Sequence, residues 1–527
     1  MRRRSLVTIL GAAGVVGLAA VVAVVLGSGG QRDETAASST VVDIPDNPAA
    51  LAAKEAQDAD IVAVLPGAEE EPPAQEEAVA EPEAPQDLSI AGPIRESLED
   101  PLLLKGAHAD DIVAVKAFYA THNGPALWLT TAGISPNGQL VLGELGRAEE
   151  WGLDPSLFAV PPADYKPDAP DDQAATETAI SLAILKYVRA ARGGLVEPST
   201  VSKIFNQTPT LRDPAAVLTE ITASRTPDAY LTDSHPKHEQ FVRLHQALAK
   251  TQSAGDIDRI KSNMDRWRWM PEQLGASYVW LNIPEFTLHV VKDGKTVTSE
   301  KIVVGNPNSP TPVLSADLKS VVFNPERKVP LSVIRRDVLP KLRKGNWLGR
   351  SDTSVLDAYQ ITVKKRGRPV DPSSIDWNKV NLSTLTFVQA PGRTNVLGKV
   401  QFLYPNDRGV YMHDTIIRSQ LARAVRAEGS KEPRVAHPEK LAALLLADDK
   451  GWSAAKVKGL IAAGKPATVK ISKPIPVHTT YFTAVVDEQG QVKTFDDVYK
   501  LDKRSKPDDA ASASRKPARG SLAASAP

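Results

Sequence analysis

From residue 277 to 325 the chain runs SYVWLNIPEFTLHVVKDGKTVTSEKIVVGNPNSPTPVLSADLKSVVFNP. Apolar and polar residues alternate, the run breaks at Asp293-Gly294, and alternation resumes. Side chains on a strand point to opposite faces in turn, so this pattern sets one face against a core and pairs two strands across a tight turn. A helix cannot bury such a pattern. The block 264–504 is therefore expected to be β-rich, with helices near Leu331–Leu342, Ile417–Arg426 and Pro438–Leu446. At its start Trp267 and Trp269 alternate with Arg266 and Arg268, which predicts a strand with one packed face and one wet face. The basic run KKRGR at 364–368 is expected to be a solvated turn rather than a contact for an acidic polymer.

The preceding block, 92–263, follows the other period. In DDIVAVKAFYATHNGPALWL the residues Ile112, Val115, Phe118 and Tyr119 fall on one helical face, which ends at Asn123-Gly124-Pro125. Ile180, Ile184, Tyr187 and Ala191 repeat the spacing as far as Gly193-Gly194, and HEQFVRLHQALAK predicts a third helix. His122, His235, His238 and His245 are expected to be packing or surface residues.

The termini differ from both blocks. Arg2 to Arg4 precede an uncharged stretch from Leu6 to Leu26, about 20 residues, which matches a hydrocarbon core. With positive charge kept inside, this predicts a retained anchor at 1–30. The rest of the chain is then exported; a cleaved signal peptide is the alternative. Residues 31–91 are rich in Ala, Pro and Glu and 505–527 are small and polar. Neither can bury enough apolar surface to offset its ordering entropy, so both are expected to be disordered.

Acidic and basic residues number 63 each, which leaves no field to attract nucleic acid. The chain has no cysteine, which excludes disulfides, cysteine metal sites and thiol catalysis together. No His, Asp or Glu spacing predicts a metal, and no cofactor is expected.

In order along the chain stand AFYATHNGPALWL, AEEWGLDPSLF, AILKYVRAARGGLVEPS, MDRWRWMPE, LNIPEFTLHVVKDGK, VVGNPNSPTPVLS, VFNPERKVPLSVIRRDVLPKL, QAPGRTNVLGKVQFLYPNDRGVYMHDT and PIPVHTTYFTAVVDEQGQV. Together they resemble the murein L,D-transpeptidases that carry an N-terminal helical scaffold domain. The resemblance implies a helical scaffold domain and a mixed β-rich catalytic domain with a lid over the cleft at about 344–385; with the anchor, the expectation is an α+β multidomain, single-pass inner-membrane protein whose bulk lies in the periplasm of a Gram-negative bacterium. It also implies a reaction, in which the third residue of a peptidoglycan stem peptide is attacked, the terminal D-alanine leaves, and the acyl group passes to another amine. Relatives do this with a Cys in a Ser-His-Gly-Cys-Val-Arg-like loop, the His of that loop, and an earlier His in a His-Asp-Thr-like element.

His413-Asp414-Thr415 matches the earlier element. In the loop, Ser430 stands at the His position, Glu432 at the Cys position, and Pro433 follows without an N–H. Arg327 stands where relatives carry Trp. A carboxylate is a poor nucleophile toward an amide and would repel the oxyanion such a pocket stabilises. The expected site is thus degenerate at His413, Ser430 and Glu432, with Arg434, Gly398 and Asp414 left to bind substrate. The expected function is a peptidoglycan-associated, catalytically inactive homologue that binds or organises cell wall. The alternatives are an active enzyme with a non-Cys centre, such as Ser430 with His413 or His437 as base, or Ser430 with Lys431, and a membrane-tethered adaptor for cell-wall enzymes. Expected partners are stem peptides or glycan and other cell-wall synthesis proteins.

Overall fold

The computed structural model describes residues 91–158, 160–344 and 352–502. The first part is helical: α1 Ala91–Ser97, α2 Ala109–Thr121, α3 Pro136–Gly146, α4 Pro170–Gly193, α5 Pro198–Val201, α6 Pro214–Thr222, α7 Pro227–Asp233, α8 Glu239–Leu248 and α9 Ala254–Arg268, with a small clip of β1 Leu129–Thr130 and β2 Gly133–Ile134. Proline opens α3 to α7, where its fixed φ suits the first turn and its missing N–H has no partner to lose. α4 is the hub. Ile180, Ile184, Tyr187 and Ala191 are all fully buried, and α1, α2, α3, α6 and α7 surround them.

The predicted strand at 266–269 is instead the end of α9. Its four residues are all buried, so there is no wet face. Partners on every side explain this. Arg266 pairs with Asp502 at 2.8 Å, Arg268 pairs with Asp265 at 3.0 Å and donates to the Trp151 carbonyl at 2.6 Å, and Trp267 stacks on Phe482. Alternation here reflects two buried environments, one ionic and one aromatic.

The second part holds β3 Ser277–Asn282, β4 Thr287–Lys292, β5 Lys295–Gly305, β6 Leu314–Phe323, β7 Arg327–Lys328, β8 Ile361–Lys365, β9 Arg368–Pro369, β10 Leu385–Gln389, β11 Val400–Leu403, β12 Met412–His413, β13 Ala427–Gly429, β14 Arg434–Val435, β15 Ala467–Thr480, β16 Ala484–Val486 and β17 Val492–Thr494. The main sheet runs β13-β5-β14-β12-β11-β6-β15-β3-β4, and β4 pairs with β5 as well. It closes on itself because β5 is long enough to change partners: Lys301 faces Thr287 of β4, and Ile302 faces Val435 of β14. Closure leaves few open edges. The β4–β5 turn is the two-residue hairpin expected from sequence, with Asp293 and Gly294 both at positive φ. Helix α13, Pro438–Lys450, seals the core with Leu441, Leu445 and Leu446, and α14, Ala454–Ala462, follows it.

A small lobe stands apart, with sheet order β7-β10-β8-β9. Its helical side is Leu331–Lys344 (α10 Leu331–Val333, a π turn, and α11 Leu339–Lys344) together with α12 Ser354–Ala358. Its own core gathers Val329, Ile334, Leu342, Trp377 and Phe387. KKRGR forms the tip of the β8–β9 hairpin, a solvated turn with Arg366 and Gly367 at positive φ.

Two further expectations need correction. The helix expected at Ile417–Arg426 is a single 3-10 turn, Arg418–Ala422, because Arg418 is drawn to Asp414 and the Ala436 carbonyl and Ala427 enters a strand. The single-pass inner-membrane placement is overturned: among the described residues no helix is long and apolar enough to cross a membrane. The stretch Leu6–Leu26 on which that placement rested, the spacer and the tail lie outside the described residues.

Candidate active site

Strand alternation places the site. On β12 and β14, Met412 and Val435 point into the core, so His413 and Arg434, which share a register position, point out of it together. The loop between β13 and β14 is pinned at both ends to β5: Gly429 pairs with Gly305 and Arg434 with Val303. Asn306 tightens the entry by donating its backbone and side-chain N–H to the Gly429 carbonyl, both at 3.0 Å. Residues 430–433 therefore form a short excursion with little freedom. At its far end the Pro433 carbonyl accepts from the His413 amide at 3.1 Å.

Within the loop, Ser430 Oγ donates to Glu432 Oε2 at 2.9 Å. Lys431 turns away and donates to the Arg408 carbonyl at 2.6 Å. His437 is held by Glu300, with Nδ1 and Oε2 2.7 Å apart. Ser430 is thus bonded to a carboxylate, while Lys431 and His437, two of its possible bases, are committed elsewhere.

His413 is buried, and its Nδ1 has no hydrogen-bond partner. Burial pushes its pKa down to about 4, and Arg434 and Arg327 add to the shift against backbone groups of Asp414 and Leu397. The ring is neutral at physiological pH and could act as a base only if a partner reached it. Arg327 and Arg434 are both held below the usual guanidinium range by burial, and the Glu432 carboxylate pulls each back up. Burial, then Glu432, also raises Tyr411. Glu432 therefore sits in the field of two partly desolvated arginines. Arg434 also donates to Gln420 Oε1 at 2.8 Å, while its Nε is buried without a partner.

Asp414 belongs to the other side of the strand. Its carboxylate accepts from Lys399 N at 2.8 Å, Thr415 N at 2.6 Å and Arg418 at 2.6 Å. Burial nevertheless leaves its pKa raised, since desolvation outweighs these bonds. Gly398 packs against it at φ 63, where a Cβ would fall 2.3 Å from Oδ2. Gly398 and Asp414 line a cleft of about 840 Å³ with Arg393, Lys399, Arg418 and Lys458. His413, Ser430, Glu432 and Arg434 are not in its wall. The residues singled out from sequence thus divide into a polar loop cluster and a separate basic cleft.

Sequence reasoning missed Arg393 and Lys458, which come from distant segments and carry no local signal. It also missed a relay on the β4–β5 face, where Ser299 Oγ lies 2.8 Å from His289 Nδ1 and His289 Nε2 lies 3.1 Å from Glu285 Oε2. His289 and Ser299 are direct cross-strand partners, a pairing that the hairpin register could have exposed. Among the described residues no group of three or more His, Asp or Glu side chains is placed to hold a metal ion.

Comparison with known proteins bears on this geometry. Residues 113–248 match the scaffold domain and residues 276–431 match the L,D-transpeptidase catalytic domain, a match that stops one residue before Glu432. Over 273 residues the chain is 28% identical to a Haemophilus influenzae protein whose name assigns it provisionally as an L,D-transpeptidase. That similarity covers 52% of this chain and 54% of the relative, so the chain spans about half the length of the curated protein it matches. With both domains matched in order, the chain belongs to the murein L,D-transpeptidase family, in the type that carries an N-terminal helical scaffold domain.

Proposed function

We propose that this protein is a catalytically inactive member of its family that binds or organises peptidoglycan. One observation carries the reading: Glu432, the residue that the resemblance sets at the family's thiol position, is bonded to Ser430 and lies in the field of Arg327 and Arg434. An arginine at 327 and a carboxylate at 432 compensate each other's charge, so these departures form a self-consistent replacement. A carboxylate here opposes the negative charge that develops on the carbonyl oxygen during acyl transfer. The nearby imidazole, neutral and without a partner on Nδ1, has no nucleophile to activate. The basic cleft beside Asp414 suits an acidic peptide or its carboxylate.

Purified protein incubated with tetrapeptide muropeptides should release no D-alanine and form no 3-3 cross-links, while co-sedimenting with isolated sacculi. Turnover above the background of a Glu432→Ala variant would refute inactivity. Failure to sediment with sacculi would favour an adaptor that binds proteins instead.

A second reading, an active enzyme with an oxygen nucleophile, has the Ser299–His289–Glu285 relay in its favour. Its serine meets Nδ1 within a cross-strand pair, and the His289 ring is wedged against Trp280, which suits a structural clamp better. Covalent labelling of Ser299 by a carbapenem, detected by intact mass, would support the enzyme.

A further inference from the structure

Away from that site, a cavity of about 350 Å³ lies within the helical part, between the end of α4, the loop before α6, the turn between α7 and α8, and the end of α9. Its wall includes Arg192, which is only 5% exposed. Arg192 Nε has no hydrogen-bond partner, and its one hydrogen bond, from Nη2 to the Met270 carbonyl, is stretched to 3.5 Å. The position has a structural logic, since Arg192 sits in the last turn of α4, where the helix dipole favours a cation. That logic leaves the buried Nε–H unsatisfied, and an unmade hydrogen bond on a buried charged group is costly.

Two further groups of the wall are donors, beside the carboxylates of Asp233 and Glu272. Trp267 Nε1 is buried without a partner. His238 accepts from Gln240 N on Nδ1 at 3.1 Å, which in the neutral ring puts its proton on Nε2; burial holds its pKa near 4, so neutral is its state at physiological pH. His235 is used internally, between Tyr187 and Arg268. On the rim Asp233 is already paired with Lys237 at 2.6 Å. The buried donors on Arg192 and Trp267 that lack partners call for a ligand that brings acceptors.

We propose that this cavity binds the free carboxylate of an amino acid or short peptide, anchored on Arg192 with Trp267 and His238 as neutral donors. Arg192, Arg212 and Lys237 stand against Asp233 and Glu272, which suits a monoanion better than a dianionic phosphate. Leu211, Met270 and Leu274 supply an apolar wall for a small side chain beside the carboxylate. The site is independent of whether the β13–β14 loop supports chemistry.

Titration calorimetry on the full chain tests this with L-alanyl-L-alanine, D-alanyl-D-alanine, their C-terminal amides and inorganic phosphate. At least one dipeptide is expected to bind, its amide at least tenfold more weakly. Arg192→Gln should weaken the dipeptide at least tenfold. Because Arg192→Gln could disturb α4, Arg212→Ala on the exposed rim is the second variant, and it should weaken binding severalfold with an unchanged melting curve. Absence of binding by both dipeptides, equal binding of acid and amide, tighter binding of phosphate, or full affinity in a folded Arg192→Gln protein would each overturn the proposal.

Discussion

At residue 398 the backbone is in the left-handed region and touches Asp414, so an added methyl group meets strain and collision together. Gly398→Ala should destabilise the protein by about 2–4 kcal/mol, measured by denaturant unfolding; a loss below about 1 kcal/mol would mean that the β11 region relaxes freely. His413 gives a pH signature. Its folded pKa of about 4 lies below the unfolded value of about 6.5. Between those values the unfolded chain binds more protons, so stability is intact at neutral pH and falls as pH drops from about 6.5 through about 4. The loss attributable to this ring is about 3 kcal/mol. Melting temperatures of the parent and His413→Asn should therefore converge on acidification, and parallel curves would show that His413 is not held neutral by burial.

Elements add what residues cannot. The lobe between Val329 and Phe387 has its own core, in which the fully buried Trp377 donates from Nε1 to the Pro372 carbonyl at 3.1 Å. Trp377→Ala should cost this lobe about 3–5 kcal/mol. Hydrogen exchange is then expected to accelerate across 329–387 while amides of β6, β11 and β15 stay protected; uniform acceleration would show one cooperative unit. Legibility also varied by element. The 277–305 hairpin was readable because strand period and turn chemistry agree there, and Ile180, Ile184, Tyr187 and Ala191 because their spacing matches a helix. Residues 266–269 misled because both faces of α9 are buried, which erases the amphipathic signal. Ile417–Arg426 misled because its helical pattern is outcompeted by tertiary bonds from Arg418.

Across the whole described part, α8 and α9 share a core with the β-rich half through Trp267, Met270, Tyr278, Val291, Phe482 and Val486. Polar bonds seal the same seam: Gln240 exchanges hydrogen bonds with Val486, and Asn263 with Thr483. A chain starting at residue 276 would expose four of those apolar side chains, at a cost on the order of 5–10 kcal/mol. It should melt at markedly lower temperature and bind a hydrophobic dye. A fragment as stable as the full chain would show that the helical part only decorates the barrel.

Local order was already written in the chain: turn residues, strand alternation, helix period and the absence of sulfur act over a few neighbours and need no fold to be felt. Family membership followed from motifs in order. Proximity was not available in that way. That Glu432 meets Ser430 in the field of Arg327 and Arg434, that His413 loses its proton to burial, and that Arg192 is left without a partner on Nε all depend on which distant segments share a dry space. Only closure of the sheet through β5 and the packing of α4 against α9 create that space, because desolvation and Coulomb energy depend on distance in three dimensions.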